Sequence, residues 1–245
     1  MTRAALILAA ALLAPLPAAA QTAPTASSAA DARYQKAMTF LKLLNSPERV
    51  KAQVRDGYFE GFTETVAAHP EAKALEEQFP GIFQEIAEAT FPYVEKLVLD
   101  ALPELWRLQA TLLSQRMTDA ELADCANYFT SPAGLRTVDA LVGAFTGENA
   151  IANVTSDNPV ISAEGLKQDI VAAAPLAYDR LSASDKAAIL AFSRSPGGRK
   201  LASLNGDMLQ LMTDWTNRVL ANSGIEEEVK RVAEPIFARR SKARQ

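Results

Sequence analysis

The sequence contains only one cysteine and one histidine in 245 residues. Cys125 has no partner for an internal disulfide, so packing alone must hold the fold together. It lies among Ala123, Ala126 and Tyr128, a setting typical of a small buried hydrophobic side chain. His69, which precedes a proline, cannot alone supply the paired ligands of a zinc or di-iron motif, and we expect it to cap the end of its own helix. The sequence therefore predicts neither a disulfide nor a metal centre.

Three sequence signatures of catalysis are also missing. No Gly-Lys dipeptide occurs, which excludes a phosphate loop of the GxxxxGK[ST] type. The GxSxG nucleophile elbow and the SxxK acylation motif do not occur either. We therefore expect a protein that is not an enzyme and that uses no cofactor.

Charge of neither sign is in large excess. The chain is 49% hydrophobic and 22% charged, with a formal net charge of −4 at pH 7. These values are typical of a globular protein. Because nucleic-acid binding depends on basic surfaces, a nucleic-acid partner is not expected.

The first 20 residues have the pattern of a secretory signal peptide. Arg3 is a short positive head, residues 4–16 are apolar, and small residues from Ala18 to Ala20 form a cleavage site. The apolar run is shorter than the roughly 20 residues needed to cross a bilayer. We predict cleavage after Ala20, export to the periplasm and no transmembrane segment in the mature chain. An uncleaved N-terminal anchor is the alternative.

Helical patterns fill the rest of the chain. Residues 21–30 are small or polar and predict a flexible linker, with Asp31 as the N-cap of the first helix. Apolar residues then recur at helical spacing, and no alternating pattern predicts a strand. Residues 31–116 are predicted to be an N-terminal helical region, in which Pro47 begins one helix and Pro92 bends or breaks another. The fold class expected is all-α, a multi-helix bundle.

A Ser-Pro-x-Gly motif followed by a basic residue occurs twice, at a constant offset and without gaps. The matched positions are Thr118, Glu121, Tyr128, Ser131, Pro132, Gly134 and Arg136 in the first copy, and Ser182, Asp185, Phe192, Ser195, Pro196, Gly198 and Lys200 in the second. Each copy predicts a helix–turn–helix unit. The first unit lies in residues 117–146, and residues 161–240 hold the second unit and the C-terminal helices.

The repeated motif predicts a sharp corner between two helices. Thr118 with Glu121, like the matched pair of the second copy, predicts a capping box before the first helix. Proline disfavours helix at the residue before it, while the serine caps the second helix and the proline occupies its first position. Glycine in that first turn costs about 1 kcal/mol relative to alanine. We therefore predict that the preceding helix passes close to Gly134 and Gly198, and that a bulky residue at either position destabilises the corner.

The remaining segments are a loop, two helices and a tail. Residues 147–160 are rich in Asn, Gly and Ser and predict a surface loop. One long helix is expected from Gly197 to Gly224, followed by a helix that bends or ends near Pro235. Residues 241–245 form a basic tail.

The capped helix, its aromatic residue and the Ser-Pro-x-Gly-basic motif, in an exported all-helical chain, resemble a bacterial family catalogued as domain of unknown function 2059. The resemblance is clearest over residues 118–141 and recurs over residues 182–204 as a second, diverged copy. It implies a helical domain in an exported protein. It implies no established activity and no catalytic residues.

Clustered carboxylates, two tryptophans and the basic tail are the other candidate features. The densest carboxylates are Glu76, Glu77, Glu85, Glu88, Glu226, Glu227 and Glu228. They are predicted to lie on solvated helix faces, because acid–base catalysis needs two carboxylates in one cleft. Trp106 and Trp215 predict core packing, or an apolar groove near Trp215. The tail cations are Arg239, Arg240, Lys242 and Arg244. They complement a helix C-terminus, with contact to an anionic membrane surface as the alternative.

Three hypotheses for function follow. The first is a non-enzymatic periplasmic protein that binds an envelope protein or associates with the envelope, because repeated helix pairs commonly form protein-binding surfaces. The second is a carrier of an apolar small ligand in a pocket between helices. The third, and least favoured, is a hydrolase that uses paired carboxylates.

Overall fold

The computed structural model describes residues 27–147, 149 and 160–243, and regular structure in these ranges is helical with no strand. The all-α prediction is therefore confirmed. Eleven α-helices lie in the described ranges: α1 (Ser27–Leu44), α2 (Pro47–Ala68), α3 (Pro70–Gln78), α4 (Ile82–Arg116), α5 (Asp119–Phe129), α6 (Pro132–Val142), α7 (Ala163–Arg180), α8 (Ala183–Arg194), α9 (Pro196–Ser203), α10 (Asn205–Ala221) and α11 (Ile225–Lys242). The predicted signal peptide and most of the predicted loop at 147–160 lie outside the described residues.

Helix α4 is the central element of the bundle. It has 35 residues and is contacted by α1, α2, α10 and α11. A bend or a break is predicted at Pro92, and the break does not occur, because α4 continues through both Pro92 and Pro103. Each proline removes one backbone hydrogen bond. Four neighbouring helices compensate by burying positions on both sides of each proline, including Val94 and Leu105.

The N-terminal boundary also differs from the prediction. Helix α1 begins at Ser27, so Asp31 lies inside the helix and is not its N-cap. The linker predicted for residues 21–30 therefore overlaps the first turn of α1. Alanine has the highest helix propensity, and residues 27–30 consist of two serines and two alanines. The helix can extend over them although Ala30 is exposed.

The C-terminal helices depart from the prediction in two places. The long helix expected from Gly197 to Gly224 is divided at Leu204, where α9 ends and α10 begins. Leu204 is buried, and its backbone N–H donates to Leu201 O at 3.0 Å, so the chain tightens there. Helix α11 then continues through Pro235 without a break.

Helices α5 and α6 form the first hairpin, and α8 and α9 form the second hairpin. The hairpins are interlocked: α5 packs against α9, and α6 packs against α8. Each first helix therefore contacts the second helix of the other hairpin, the arrangement expected of two units related by an approximate twofold axis. Helix α7 covers one side by packing against α6 and α10.

Candidate functional site

The two Ser-Pro-x-Gly corners have the same backbone geometry. Ser131 (φ −73°, ψ 155°) and Ser195 (φ −68°, ψ 159°) are extended N-cap residues, each followed by proline at the first helical position. The Ser131 hydroxyl accepts from the Gly134 N–H at 3.1 Å, and the Ser195 hydroxyl accepts from the Gly198 N–H at 3.0 Å. The capping roles inferred for Ser131, Pro132, Ser195 and Pro196 are present in the structure.

Both corner glycines lie against the end of the preceding helix. A Cβ atom placed on Gly134 would be 2.0 Å from the carbonyl oxygen of Tyr128, and one on Gly198 would be 2.0 Å from that of Phe192. No real Cβ atom tolerates this separation, so only glycine fits without a backbone shift. The close approach expected at these positions is present.

The caps of the two first helices are only partly alike. Thr118 and Glu121 form a complete capping box before α5. Ser182 caps α8 by accepting from the Asp185 N–H at 3.2 Å, and its hydroxyl donates to the Asp185 carboxylate at 2.7 Å. Asp185 is buried, with 3% of its surface exposed, and therefore needs a further partner.

Arg136 of the first hairpin supplies that partner. Its Nε and Nη2 atoms donate to the two Asp185 carboxylate oxygens at 3.1 and 2.6 Å, a bidentate pair between hairpins. The matched residue Lys200 has no carboxylate at ion-pair distance among the described residues. The Arg136 guanidinium, and then the Ser182 hydroxyl, lower the pKa of Asp185 from 3.8 to about 2. The ion pair therefore breaks the symmetry between the hairpins.

This pair predicts a specific pH dependence of stability. Because the folded-state pKa of Asp185 is depressed, its contribution is present above about pH 4 and is lost as the pH falls through about 2. Arg136→Met should lower the melting temperature at pH 7 by several degrees and should lower it much less at pH 2. Thermal melts of both proteins at pH 7, 4, 3 and 2 measure this difference.

Lys200→Met is the matched control, because Lys200 occupies the equivalent position in the second hairpin. It should melt like the unmodified protein at every pH. Equal losses in the Arg136 and Lys200 variants at pH 7 would show that the ion pair does not couple the hairpins.

The aromatic residues of the two motifs stack directly on each other. The ring centroids of Tyr128 and Phe192 are 4.3 Å apart and the planes differ by 4°. Phe129 meets both rings at a steep angle. The Tyr128 hydroxyl lies 2.9 Å from the Thr137 hydroxyl, and burial raises the pKa of Tyr128. Equivalent side chains that touch each other mark the approximate twofold axis.

A cavity of about 320 Å³ adjoins this aromatic pair, between the two hairpins and α7. Its lining residues are Tyr128, Phe129, Thr137, Val138, Leu141, Ile170, Ala174, Ala177, Tyr178, Leu181, Ile189, Phe192, Ser193, Gly198, Leu201 and Ala202. We call this cavity the hairpin pocket. Among the lining residues, only Tyr128, Tyr178, Thr137 and Ser193 carry polar side-chain groups. The hydroxyl groups of Tyr128 and Thr137 are hydrogen-bonded to each other. The pocket is suited to an apolar group.

The hairpin pocket opens along the exposed side of α7 and α8. Ala174 and Tyr178 line it and are exposed, the latter by 38%. The Lys186 Nζ lies 4.9 Å from the centre of the Tyr178 ring. Val171 and Leu190, beside lining residues on their helices, are also exposed. The mouth is therefore largely apolar, with Lys186 at its edge.

The sequence placed the candidate groove in a different region. Trp215 is fully buried in the core and lines neither of the two principal cavities found in the described part of the chain. The spacing of the hairpin-pocket residues in and just after α7 could have indicated the pocket from the sequence. Ile170, Ala174 and Ala177 of α7 and Leu181, which directly follows it, repeat at helical spacing, with two small side chains between larger ones. The small alanine side chains on that face of α7 leave space that larger side chains would fill.

A second cavity, of about 730 Å³, lies between α2, α3 and α4. It is lined by Phe59, Phe62, Thr63, Lys73, Glu76, Glu77, Phe83, Gln84 and Ala87. The Glu76 carboxylate accepts from the Gly81 N–H at 2.5 Å and caps the start of α4. This carboxylate therefore has a structural role.

Two of the other clustered carboxylates form ion pairs. Glu85 binds Arg239 and Arg240 of α11, and Glu228 pairs with Arg231. Of the buried carboxylates, Asp185 is held by Arg136, whereas Asp169 accepts from the backbone and side chain of Asn149. The Glu228–Arg231 pair lies within α11, whereas the other contacts join separate elements. None of these contacts aligns two carboxylates for proton transfer.

Three further candidates have clear structural positions. Cys125 is buried and its Sγ lies 3.7 Å from the Gly197 carbonyl oxygen. Burial raises the pKa of the thiol to about 12, which disfavours the reactive thiolate. His69 occupies the N-cap position of α3, where its side chain makes no capping bond. The cap expected from it at the end of the preceding helix stays a prediction. Imidazole is not among the short oxygen acceptors that cap helices. Of the basic tail, Arg239 and Arg240 bind Glu85, and Arg244 lies outside the described residues.

Within the described ranges, no group of three or more potential ligands could hold a metal ion, and no helix is long and apolar enough to cross a membrane. Comparisons with protein-family models, with curated proteins and with solved structures give no match. The resemblance to domain of unknown function 2059 stays a prediction from the motif.

Proposed function

We propose that this protein is a non-enzymatic binding protein that holds an apolar ligand in the hairpin pocket. The observation that carries the proposal is the cavity of about 320 Å³ with its largely apolar lining and exposed mouth. Ligand sites commonly have volumes of about 300–1,000 Å³ and a few polar groups among apolar ones. The hairpin pocket is at the small end of this range, so it suits one aliphatic chain or a small ring system.

Specific contacts hold the walls of the pocket together, which favours a site that exists before the ligand arrives. The glycine corners fix both helix pairs, and the Arg136–Asp185 pair joins one hairpin to the other. Well-packed interiors contain few voids larger than a water molecule. A preformed pocket reduces the entropy lost on binding.

We further propose that the protein works in the periplasm after cleavage of residues 1–20. The support is the signal-peptide pattern of Arg3, the apolar run and the small residues before Gln21. An envelope protein that inserts an apolar side chain is the second candidate occupant. The exposure of Val171 (56%) and Leu190 (46%) beside the pocket mouth favours it.

Filling the pocket tests the proposal. Ala174 is exposed and lines the mouth, so Ala174→Trp should place an indole in the cavity without disturbing the fold. Loss of several buried methylene groups, at about 0.8 kcal/mol each, should weaken binding about tenfold or more. The readout is fluorescence of the neutral probe N-phenylnaphthylamine titrated with protein, and circular dichroism verifies folding.

Ala172→Trp provides the matched control. Ala172 is exposed on the same helix but does not line the pocket. This variant should bind the probe as the unmodified protein does. Equal binding by both variants would move the site elsewhere, and no binding by the unmodified protein would overturn the proposed function.

A further inference from the structure

The position of Lys186 bears on which ligand the hairpin pocket takes. Its Nζ is held at 4.9 Å from the centre of the Tyr178 ring, and Tyr178 lines the pocket. No described carboxylate lies within ion-pair distance of Lys186. The adjacent Asp185 is occupied by Arg136 and Ser182. The ammonium group at the pocket edge is therefore available to an anion.

Two other charged residues near the pocket are engaged by protein partners. Arg180, at the end of α7, donates to the Gly143 carbonyl at 2.7 Å. Asp139 of α6 lies 3.5 Å from Arg49. Lys186, by contrast, lies against a ring that lines the cavity and is a cation that a ligand head group would meet there.

The volume of the cavity limits the apolar part. A methylene group needs about as much space as a water molecule, roughly 30 Å³ in the liquid. A cavity of about 320 Å³ therefore holds a chain of about ten such groups. Four lining residues of α7, from Ile170 to Tyr178, and Leu181 just after the helix lie along one side of the pocket, where a chain can extend.

We propose that the ligand class is a single-chain anionic amphiphile, with an aliphatic chain of medium length in the hairpin pocket and a carboxylate at Lys186. This inference rests on the proposed function. It adds the charge of the head group and its position. The ring of Tyr178 holds the lysine at the mouth by a cation–π contact, so the ammonium is placed before binding.

The test compares decanoate with decanol, which share a chain and differ in charge. Isothermal titration calorimetry below the micelle concentration should show about fivefold tighter binding of decanoate to the unmodified protein, as expected for an ion pair near the surface. Lys186→Met should abolish this preference and leave decanol affinity unchanged. Raising the salt concentration should reduce the ratio of decanoate affinity to decanol affinity in the unmodified protein, and should not change it in Lys186→Met.

Lys230→Met is the control, because Lys230 is an exposed lysine on α11 without an ion pair among the described residues. It should retain the preference for decanoate. If both ligands bind equally to the unmodified protein, or if Lys186→Met keeps the preference, the head-group assignment is wrong and the apolar pocket stands. If neither ligand binds the unmodified protein, the proposed binding of an apolar ligand in the hairpin pocket is wrong as well.

Discussion

Replacing Gly198 with alanine should destabilise the protein by about 3 kcal/mol, although alanine is normally the better helix former by about 1 kcal/mol. The added Cβ would lie 2.0 Å from the Phe192 carbonyl oxygen, 2.8 Å from its carbon and 3.1 Å from the Ser193 Cα. These atoms belong to the backbone of the preceding helix, so relief requires that the corner opens. For a chain of this size the melting temperature should fall by about 6–12 °C. Gly134→Ala should behave in the same way.

Gly206→Ala is the matched control for this result. Gly206 lies in the first turn of α10, and a Cβ atom there would meet nothing within 4 Å. This substitution should be neutral or stabilising by up to about 1 kcal/mol. The difference between the two alanine variants in thermal or urea unfolding therefore isolates the contact at the corner. If Gly198→Ala melted no lower than Gly206→Ala, the corner would not be closely packed.

Trp215→Ala should have the other large effect, a loss of about 3–5 kcal/mol in the free energy of unfolding. Trp215 is fully buried in the common core, and its removal leaves a cavity that the neighbouring helices cannot close. The midpoint of thermal unfolding should fall by about 10 °C or more. Probe binding at the hairpin pocket should not change below that transition, because Trp215 does not line it.

Trp215→Phe separates the apolar and polar parts of this effect. Within the described residues the buried indole Nε1 has no hydrogen-bond partner. Phenylalanine removes that unpaired group and keeps most of the apolar volume, so the loss should be well under that of alanine. As a surface control, Leu43→Ala should change stability by less than about 0.5 kcal/mol, since Leu43 is 59% exposed. If Trp215→Ala lost probe binding at a temperature where it is folded, the result would favour the apolar groove near Trp215 that the sequence offers as an alternative.

Features that depend on a few neighbouring residues could be predicted from the sequence. The caps at Thr118, Ser131, Ser182 and Ser195 are examples. A cap is determined by hydrogen bonds within four residues, so the residues that form it are close together in the sequence. The close approach at Gly134 and Gly198 followed for the same reason, because a glycine in a first turn has a cost that needs a local cause.

Features that depend on distant packing could not be predicted in this way. Pro92 breaks an isolated helix, but four neighbouring helices keep α4 continuous. The hairpin pocket depends on how α5 and α6 meet α8 and α9, residues far apart in the chain. Periodicity gives the faces of helices but not their partners.

The candidate site illustrates the same division. The matched aromatic positions 128 and 192 were found as a repeat, but their mutual stacking and the cavity beside them are visible only in three dimensions. No sequence pattern marks Lys186 as a site residue, because its contact with Tyr178 joins two different helices across the turn between α7 and α8. The sequence could predict the parts of the site and not their assembly.

Interlocking two hairpins of one chain has a consequence for how the pocket responds to dilution. If the hairpins were separate molecules, their contact would be lost at low concentration. Joined by α7 and its flanking segments, each meets the other at an effective concentration that a tether places in the millimolar range. One molecule therefore builds the whole cavity, and its walls remain in place however few copies a cell contains.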